Sequence, residues 1–117
     1  DIAGVVEAVG AGVKEYAPGD AIMGSLEWQK QGAFAEYVAT KAQYITKKPR
    51  NLSFTEAAAV PLAALTAWQA LFVHAALQPG ETIVIHAAAG GVGLFALQFA
   101  KLIGVRVEQF VPSARML

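Results

Sequence analysis

Residues 82–93 read Thr-Ile-Val-Ile-His-Ala-Ala-Ala-Gly-Gly-Val-Gly, and the rest of the chain can be placed by working outward from them. Ile83-Val84-Ile85 is continuously apolar, as expected of a parallel strand covered on both faces. It runs into Ala88-Ala89-Gly90-Gly91-Val92-Gly93, whose small residues clear the backbone, and residues 91–103 then read as a helix. A helix N-terminus offers unpaired N–H groups and a positive dipole end, which suit a pyrophosphate. Gly90 and Gly93 take the second and third glycine positions of the dinucleotide fingerprint, and Ala88 takes the first. Strand, small-residue turn and helix follow one another in the order that fingerprint requires. The other reading of these residues is a Gly/Ala-rich corner that simply lets strand and helix pack closely.

Downstream, Gly104 stands where a helix commonly ends, with Lys101 complementing the last turn. Residues 105–111 predict the next parallel strand. An acid that would hold a ribose 2′-hydroxyl is expected about 20 positions after the glycines. The corresponding residues 110–113 contain none, and Glu108 falls in mid-strand. Ser113 and Arg115 are instead suited to a 2′-phosphate, because Arg presents a planar, permanently charged fork. That points to NADPH over NADH. Against it stands the reading of residues 112–117 as an end unrelated to any cofactor.

Upstream, Ser53-Phe54-Thr55-Glu56 has the spacing of a capping box. The helix it opens must stop or kink near Pro61. Residues 62–77 predict a second helix with Leu65, Trp68, Leu71 and Phe72 on one face. Thr66, on this helix, has a hydroxyl that can back-bond to the preceding turn. Before Pro49 the pattern is β. Residues 2–9, 21–26 and 33–39 read as short strands, with a Pro18-Gly19-Asp20 turn between the first two. Such spacing suggests a barrel-like antiparallel unit. Gly10-Ala11-Gly12 also follows a strand, but no helical periodicity follows it, so it reads as a turn.

Composition narrows the function classes. The 117 residues are 56% hydrophobic and 15% charged, with nine basic and nine acidic side chains. Mean hydropathy is +0.45, too apolar for a disordered chain. No basic stripe or basic amphipathic face argues for nucleic acid or membrane. No cysteine is present, which excludes disulfides, thiolate catalysis and Cys-built zinc sites in this stretch. The longest apolar runs are shorter than the roughly 20 residues of a membrane span. By elimination the expected location is cytoplasmic. The opening Asp1-Ile2-Ala3, without an initiating Met, reads as starting within a protein.

Taken together, the motifs resemble the medium-chain dehydrogenase/reductase superfamily, in its quinone oxidoreductase (zeta-crystallin-like) branch. The resemblance is carried by residues 1–10, Pro18-Gly19-Asp20, Gly32-Ala33-Phe34-Ala35-Glu36-Tyr37, residues 52–61, Leu65-Thr66-Ala67-Trp68 and residues 86–93. It implies an α/β protein in which the end of a GroES-like β domain precedes the first βαβ unit of a Rossmann fold. Residues 1–48 would be the partial GroES-like catalytic domain, and residues 49–117 the connecting helices and the start of the dinucleotide-binding domain. It further implies cofactor contacts from Thr66, Ala88, Gly90, Gly91, Val92 and Gly93, beside Ser113 and Arg115, and no metal. The zinc-binding branch would place a ligating Cys near Leu62 and a Cys-rich lobe near residues 26–32; this chain has neither.

The resemblance implies hydride transfer from NADPH to quinones or other α,β-unsaturated carbonyls by a longer, homodimeric parent, of which this chain is a fragment. An enoyl-reductase segment of a polyketide or fatty-acid synthase and a catalytically inactive nucleotide-binding module are the alternatives. The isolated chain is expected to reduce no quinone and to aggregate through uncovered sheet. No catalytic residue or proton donor is assignable. His86 and His74 read as packed or helix-end side chains, Trp28 and Tyr37 as core of the small β unit, and Phe34, Phe54, Phe95 and Phe99 as packing.

Overall fold

The computed structural model describes residues 1–27, 29 and 32–110. The chain divides into two compact units, the first from Asp1 to Leu62 and the second from Ala63 onward. In the first, β1 (Ile2–Val5), β2 (Ala21–Gly24) and β3 (Ile45–Lys47) form an antiparallel sheet in that order. Ile2 pairs with Gly24 and Val5 with Ala21, while Gly24 also faces Ile45. Gly19, at φ 95°, occupies the left-handed region that the Pro18-Gly19-Asp20 corner requires. Its N–H reaches the Val6 carbonyl at 2.8 Å, and the Val6 N–H reaches the Asp20 carbonyl at 2.9 Å. Gly24 is required by close approach, since a Cβ there would meet the Tyr44 carbonyl and lie 2.9 Å from the Ile45 Cα.

The β pattern differs from the sequence expectation in one strand. Residues 33–39 form no strand but a bend, with Phe34 fully exposed and Tyr37 75% exposed. Their alternation of aromatic and small residues imitates a strand, yet among the described residues no neighbouring strand pairs with them. Neither Phe34 nor Tyr37 is core. Tyr37 instead lines an open groove of about 780 Å³ that follows β1 and also takes in Asp1, Glu7 and Glu36. The third strand is β3, preceded by a 3-10 turn at Ala42–Tyr44. Tyr16 donates its hydroxyl hydrogen to the Ile45 carbonyl at 2.8 Å and so fastens the long first connection to β3. The first two strands also stop short of their expected ends at residues 9 and 26.

Helix α1 (Phe54–Ala58) carries the expected capping box. Glu56 N–H donates to Ser53 Oγ at 3.2 Å, and Ser53 N–H donates to Glu56 Oε2 at 2.8 Å. Ala57 is fully buried, and α1 packs on β1 and β2. The capping box and α1 thus lie within the first compact unit. Phe54 is less a packing residue than expected. It is 42% exposed, and the Lys48 ammonium stands 5.2 Å from its ring centroid.

Helix α2 (Pro61–Trp68) begins at the proline, which suits the first helical position because that N–H has no intrahelical partner. It does not run to residue 77 as an α-helix. Gln69–His74 widens into a π-helical segment, and the N–H of Ala75 bonds the Ala70 carbonyl at 3.0 Å. The buried stripe is Ala67 and Leu71, whereas Leu65 and Trp68 are half exposed. Of the single face expected of Leu65, Trp68, Leu71 and Phe72, Leu71 is buried and Trp68 meets Phe72 ring to ring, while Leu65 stays half exposed.

The second unit ends in the expected βαβ arrangement. Strand β4 (Thr82–His86) and strand β5 (Arg106–Phe110) are parallel neighbours, joined by α3 (Gly91–Leu102). Ala67, Leu71, Ile85, Ala88 and Ala96 make its core, with Phe72, Phe95, Phe99 and Val107 packed around them. The Trp68 and Phe72 rings meet edge to face at 4.6 Å, and Trp68 and Phe99 at 5.6 Å. Ile83, Ile85 and Val107 turn toward this core, while Val84 is 54% exposed and Glu108 pairs with Arg106 at 3.7 Å on the outer side. The covering of both faces anticipated from Ile83-Val84-Ile85 is present on one face among the described residues.

Two outcomes test the capping box. Ser53→Ala should lower stability by about 1 kcal/mol, measured by thermal or urea unfolding. The Glu56 carboxyl is held below its ordinary value by the Ser53 backbone N–H first and by the Ser53 hydroxyl second. A depressed folded-state value means the contribution is complete above the ordinary carboxylate range and disappears as pH falls through the folded-state value. Acid melting curves of Glu56→Gln should accordingly be flatter than those of the parent sequence; identical curves would remove Glu56 from the account.

Candidate functional site

The turn between β4 and α3 lies at the carboxyl end of a parallel strand, where ligands of open α/β sheets bind. Its geometry starts at Ala87, which holds φ 52°. A left-handed conformation is uncommon for a residue with a Cβ and marks a backbone held in place by its surroundings. The reversal turns the Ala87 carbonyl back into the turn, where it accepts the Gly90 N–H at 2.9 Å. Gly90 then caps α3 through its backbone, with no side chain bonded to the first-turn N–H groups and no acid in that turn. The N–H groups of Gly91, Val92 and Gly93 precede the first i→i−4 bond, which Leu94 makes to the Gly90 carbonyl at 2.9 Å.

The fingerprint positions have separate physical reasons. Ala88 is 2% exposed and its methyl belongs to the core, which explains why alanine replaces the first glycine. Gly90 is exposed, and a Cβ there would stand 3.3 Å from the Ala87 carbonyl. Gly91 is exposed with nothing within 4 Å of a built Cβ. Gly93 is buried, and its Cβ would fall 2.6 Å from the Ala87 oxygen and 2.7 Å from the Ala88 Cα. Close packing of helix on strand accounts for Gly93 alone. It does not account for the exposed Gly90-Gly91 pair.

Thr66 lies on α2 beside Ala67, which shares the core with Ala88. The core therefore brings the helix that carries Thr66 against the start of α3, with the threonine side chain on an exposed position. His86, at the end of β4, and His74, closing the π-helical segment, are both exposed. Ser113, Arg115 and Trp28 lie outside the described residues. Sequence reading missed Ala87, because nothing in an alanine announces a left-handed backbone; its only signal is a place at the end of an apolar strand before a glycine turn. Among the described residues no three His, Asp or Glu side chains gather where a metal ion could be held. No described helix is long and apolar enough to cross a membrane.

An antiparallel β unit followed in sequence by a β-turn-α-β unit with a fingerprint turn is the order of elements found in several known oxidoreductases. Residues 1–50 match the alcohol dehydrogenase GroES-like domain. The chain is 45% identical over 106 residues to the pikromycin polyketide synthase component PikAII of Streptomyces venezuelae, covering 91% of this chain and 3% of that protein. Its structure superposes on the CurK enoyl reductase with a TM-score of 0.87 at 38% identity, covering 97% of this chain and 33% of the other. For the quinone oxidoreductase of Coxiella burnetii the values are 0.84, 38%, 95% and 35%. A mycobacterial protein solved in complex with NADPH superposes at 0.81 with 37% identity, over 96% of this chain and 34% of its own. The match to the alcohol dehydrogenase GroES-like domain covers the first part of the chain, and the chain as a whole is similar to these oxidoreductases, spanning about a third of the length of the solved ones.

The glycines separate experimentally. Gly93→Ala should destabilise the second unit by about 1–3 kcal/mol, because its clashes are with backbone atoms that cannot swing aside. Gly91→Ala should leave the melting temperature within about 1 °C, since its Cβ enters open space. Equal losses in the two variants would contradict the assignment of Gly93 to packing and Gly91 to the open face.

Proposed function

We propose that the polypeptide to which this chain belongs is a zinc-independent, NADPH-dependent oxidoreductase that reduces quinones or other α,β-unsaturated carbonyls. The carrying observation is the start of α3, with two exposed glycines, no side-chain cap and no acid in its first turn. These residues fit a dinucleotide. The N–H groups of Gly91, Val92 and Gly93 would hold the pyrophosphate, Gly90 and Ala88 would let it approach, and the helix dipole would favour its charge. Thr66 would contact the cofactor from α2. Ser113 and Arg115 would hold the 2′-phosphate that separates NADPH from NADH. A bound nicotinamide would supply the hydride.

Zinc independence is part of this proposal, and this stretch has no cysteine to offer a metal. Cytoplasmic placement and a homodimeric parent belong to the same proposal. Residues 1–50 would contribute to the substrate side, as part of the GroES-like domain.

A second reading has its own support. The identity to PikAII and the likeness to the CurK enoyl reductase favour an enoyl-reductase segment of a polyketide synthase, acting on an enone carried by the synthase. Both readings share the cofactor and the conjugated carbonyl, and differ in whether the substrate is free or tethered.

Titrating the longer polypeptide to which this chain belongs with NADPH and NADH, followed by nucleotide fluorescence, tests the cofactor assignment. NADPH should bind more tightly, and Arg115→Ala should weaken it about tenfold, as expected for loss of one charged hydrogen bond, while sparing NADH. Failure of both nucleotides to bind, or equal effects on the two, would overturn the assignment. Incubation of the isolated 117-residue chain with NADPH and a simple quinone should give no turnover, the activity residing in the longer polypeptide.

A further inference from the structure

Helix α2 opens without a cap of its own. Val60 precedes Pro61, and a valine side chain offers no acceptor to the first helix donors. Pro61 has no N–H, so the first donor that needs a partner is the N–H of Leu62. Asp1 provides that partner, its Oδ2 accepting from the Leu62 N–H at 3.0 Å. The acceptor comes from 61 positions away in sequence, and it places a carboxylate at the positive end of the helix.

The surroundings show why this bond is not incidental. Asp1 immediately precedes β1, whose Ile2 is paired with Gly24. Gly24 is buried and so close to Tyr44 and Ile45 that no side chain would fit there. The carboxylate is therefore delivered from a strand whose partner is tightly seated. Leu62, by contrast, is 61% exposed, so burial of its own side chain does not fix this turn. Thr66 follows Leu62 by four residues on the same helix, one turn along and on the same face. In an α-helix that spacing also places the Thr66 N–H against the Leu62 carbonyl.

We infer that Asp1 is a positioning residue for Thr66, acting through the Leu62 N–H to fix the turn of α2 that presents the threonine. This rests on the reading of Thr66 as a cofactor contact. The acceptor oxygen, rather than the charge alone, carries the effect, so an asparagine at position 1 retains it.

Amide hydrogen exchange and NADPH titration of the full chain test the inference together. In Asp1→Ala the Leu62 and Thr66 amides should exchange about fivefold faster, the usual consequence of losing a helix cap, and the NADPH dissociation constant should rise by a similar factor. Asp1→Asn should restore both. Unchanged exchange in Asp1→Ala overturns the inference, as does faster exchange with unaltered NADPH affinity, or an Asp1→Asn variant that behaves like the alanine. Should Asp1→Ala fail to fold, Asp1→Asn decides alone, since faster exchange at Leu62 there contradicts the role of the oxygen. If the parent chain binds no NADPH, the cofactor reading fails, and the exchange rates at Leu62 and Thr66 still decide whether Asp1 seats the helix.

Discussion

The contact between the first turn of α3 and the end of β4 organises the second unit. Gly93 lies so close to Ala87 and Ala88 that a single added carbon would overlap their backbone. That closeness lets α3 begin directly where β4 stops, with only residues 87–90 between them. It sets the helix over the sheet, brings Ala96 onto Ile85, and leaves the first-turn amides at the strand end. The left-handed Ala87 is the backbone cost of reversing direction in so few residues, and its carbonyl recovers a hydrogen bond from Gly90. Core packing and ligand chemistry thus share one corner.

Much of this corner was legible in the sequence. Residues 82–93 carry strand, turn and helix in an order that few other structures satisfy, and the resulting parallel pair and connecting helix were correctly placed. The capping box was equally readable, because its residues act on each other within one turn. What could not be read depends on distant partners. Residues 33–39 look like a strand by alternation, yet strand formation needs a neighbouring edge, and it is residues 45–47 that find one. The widened turn at Gln69–His74 leaves no signature in an apolar run, and neither does the left-handed state of Ala87. Asp1 is the extreme case, since its partner Leu62 lies at the far end of the first unit's sequence.

The substitution of alanine for the first fingerprint glycine shows how a motif departs from its strict form without losing its geometry. The methyl of Ala88 points into the core shared with Ala67 and Leu71, where a glycine would leave space unfilled. The glycines that remain are those with nowhere to place a side chain or with an open face to keep clear. The three fingerprint positions therefore answer to three constraints, of which close packing is one.

The π-helical segment also bears on how this connection is phased. A π turn holds one residue more than an α turn between hydrogen-bonded partners. Removing a single residue between Gln69 and His74 would let α2 continue as a regular helix. The side chains beyond the deletion would keep their phase, whereas regularising the turn with the residue retained would rotate them by about 100° about the axis, off the surface that this segment shares with α3. The widened turn thus absorbs one residue and keeps the faces on either side of it in phase. Ala67 faces the sheet side of the core before it, and the aromatic contacts of Phe72 with Trp68 and Phe99 are made after it.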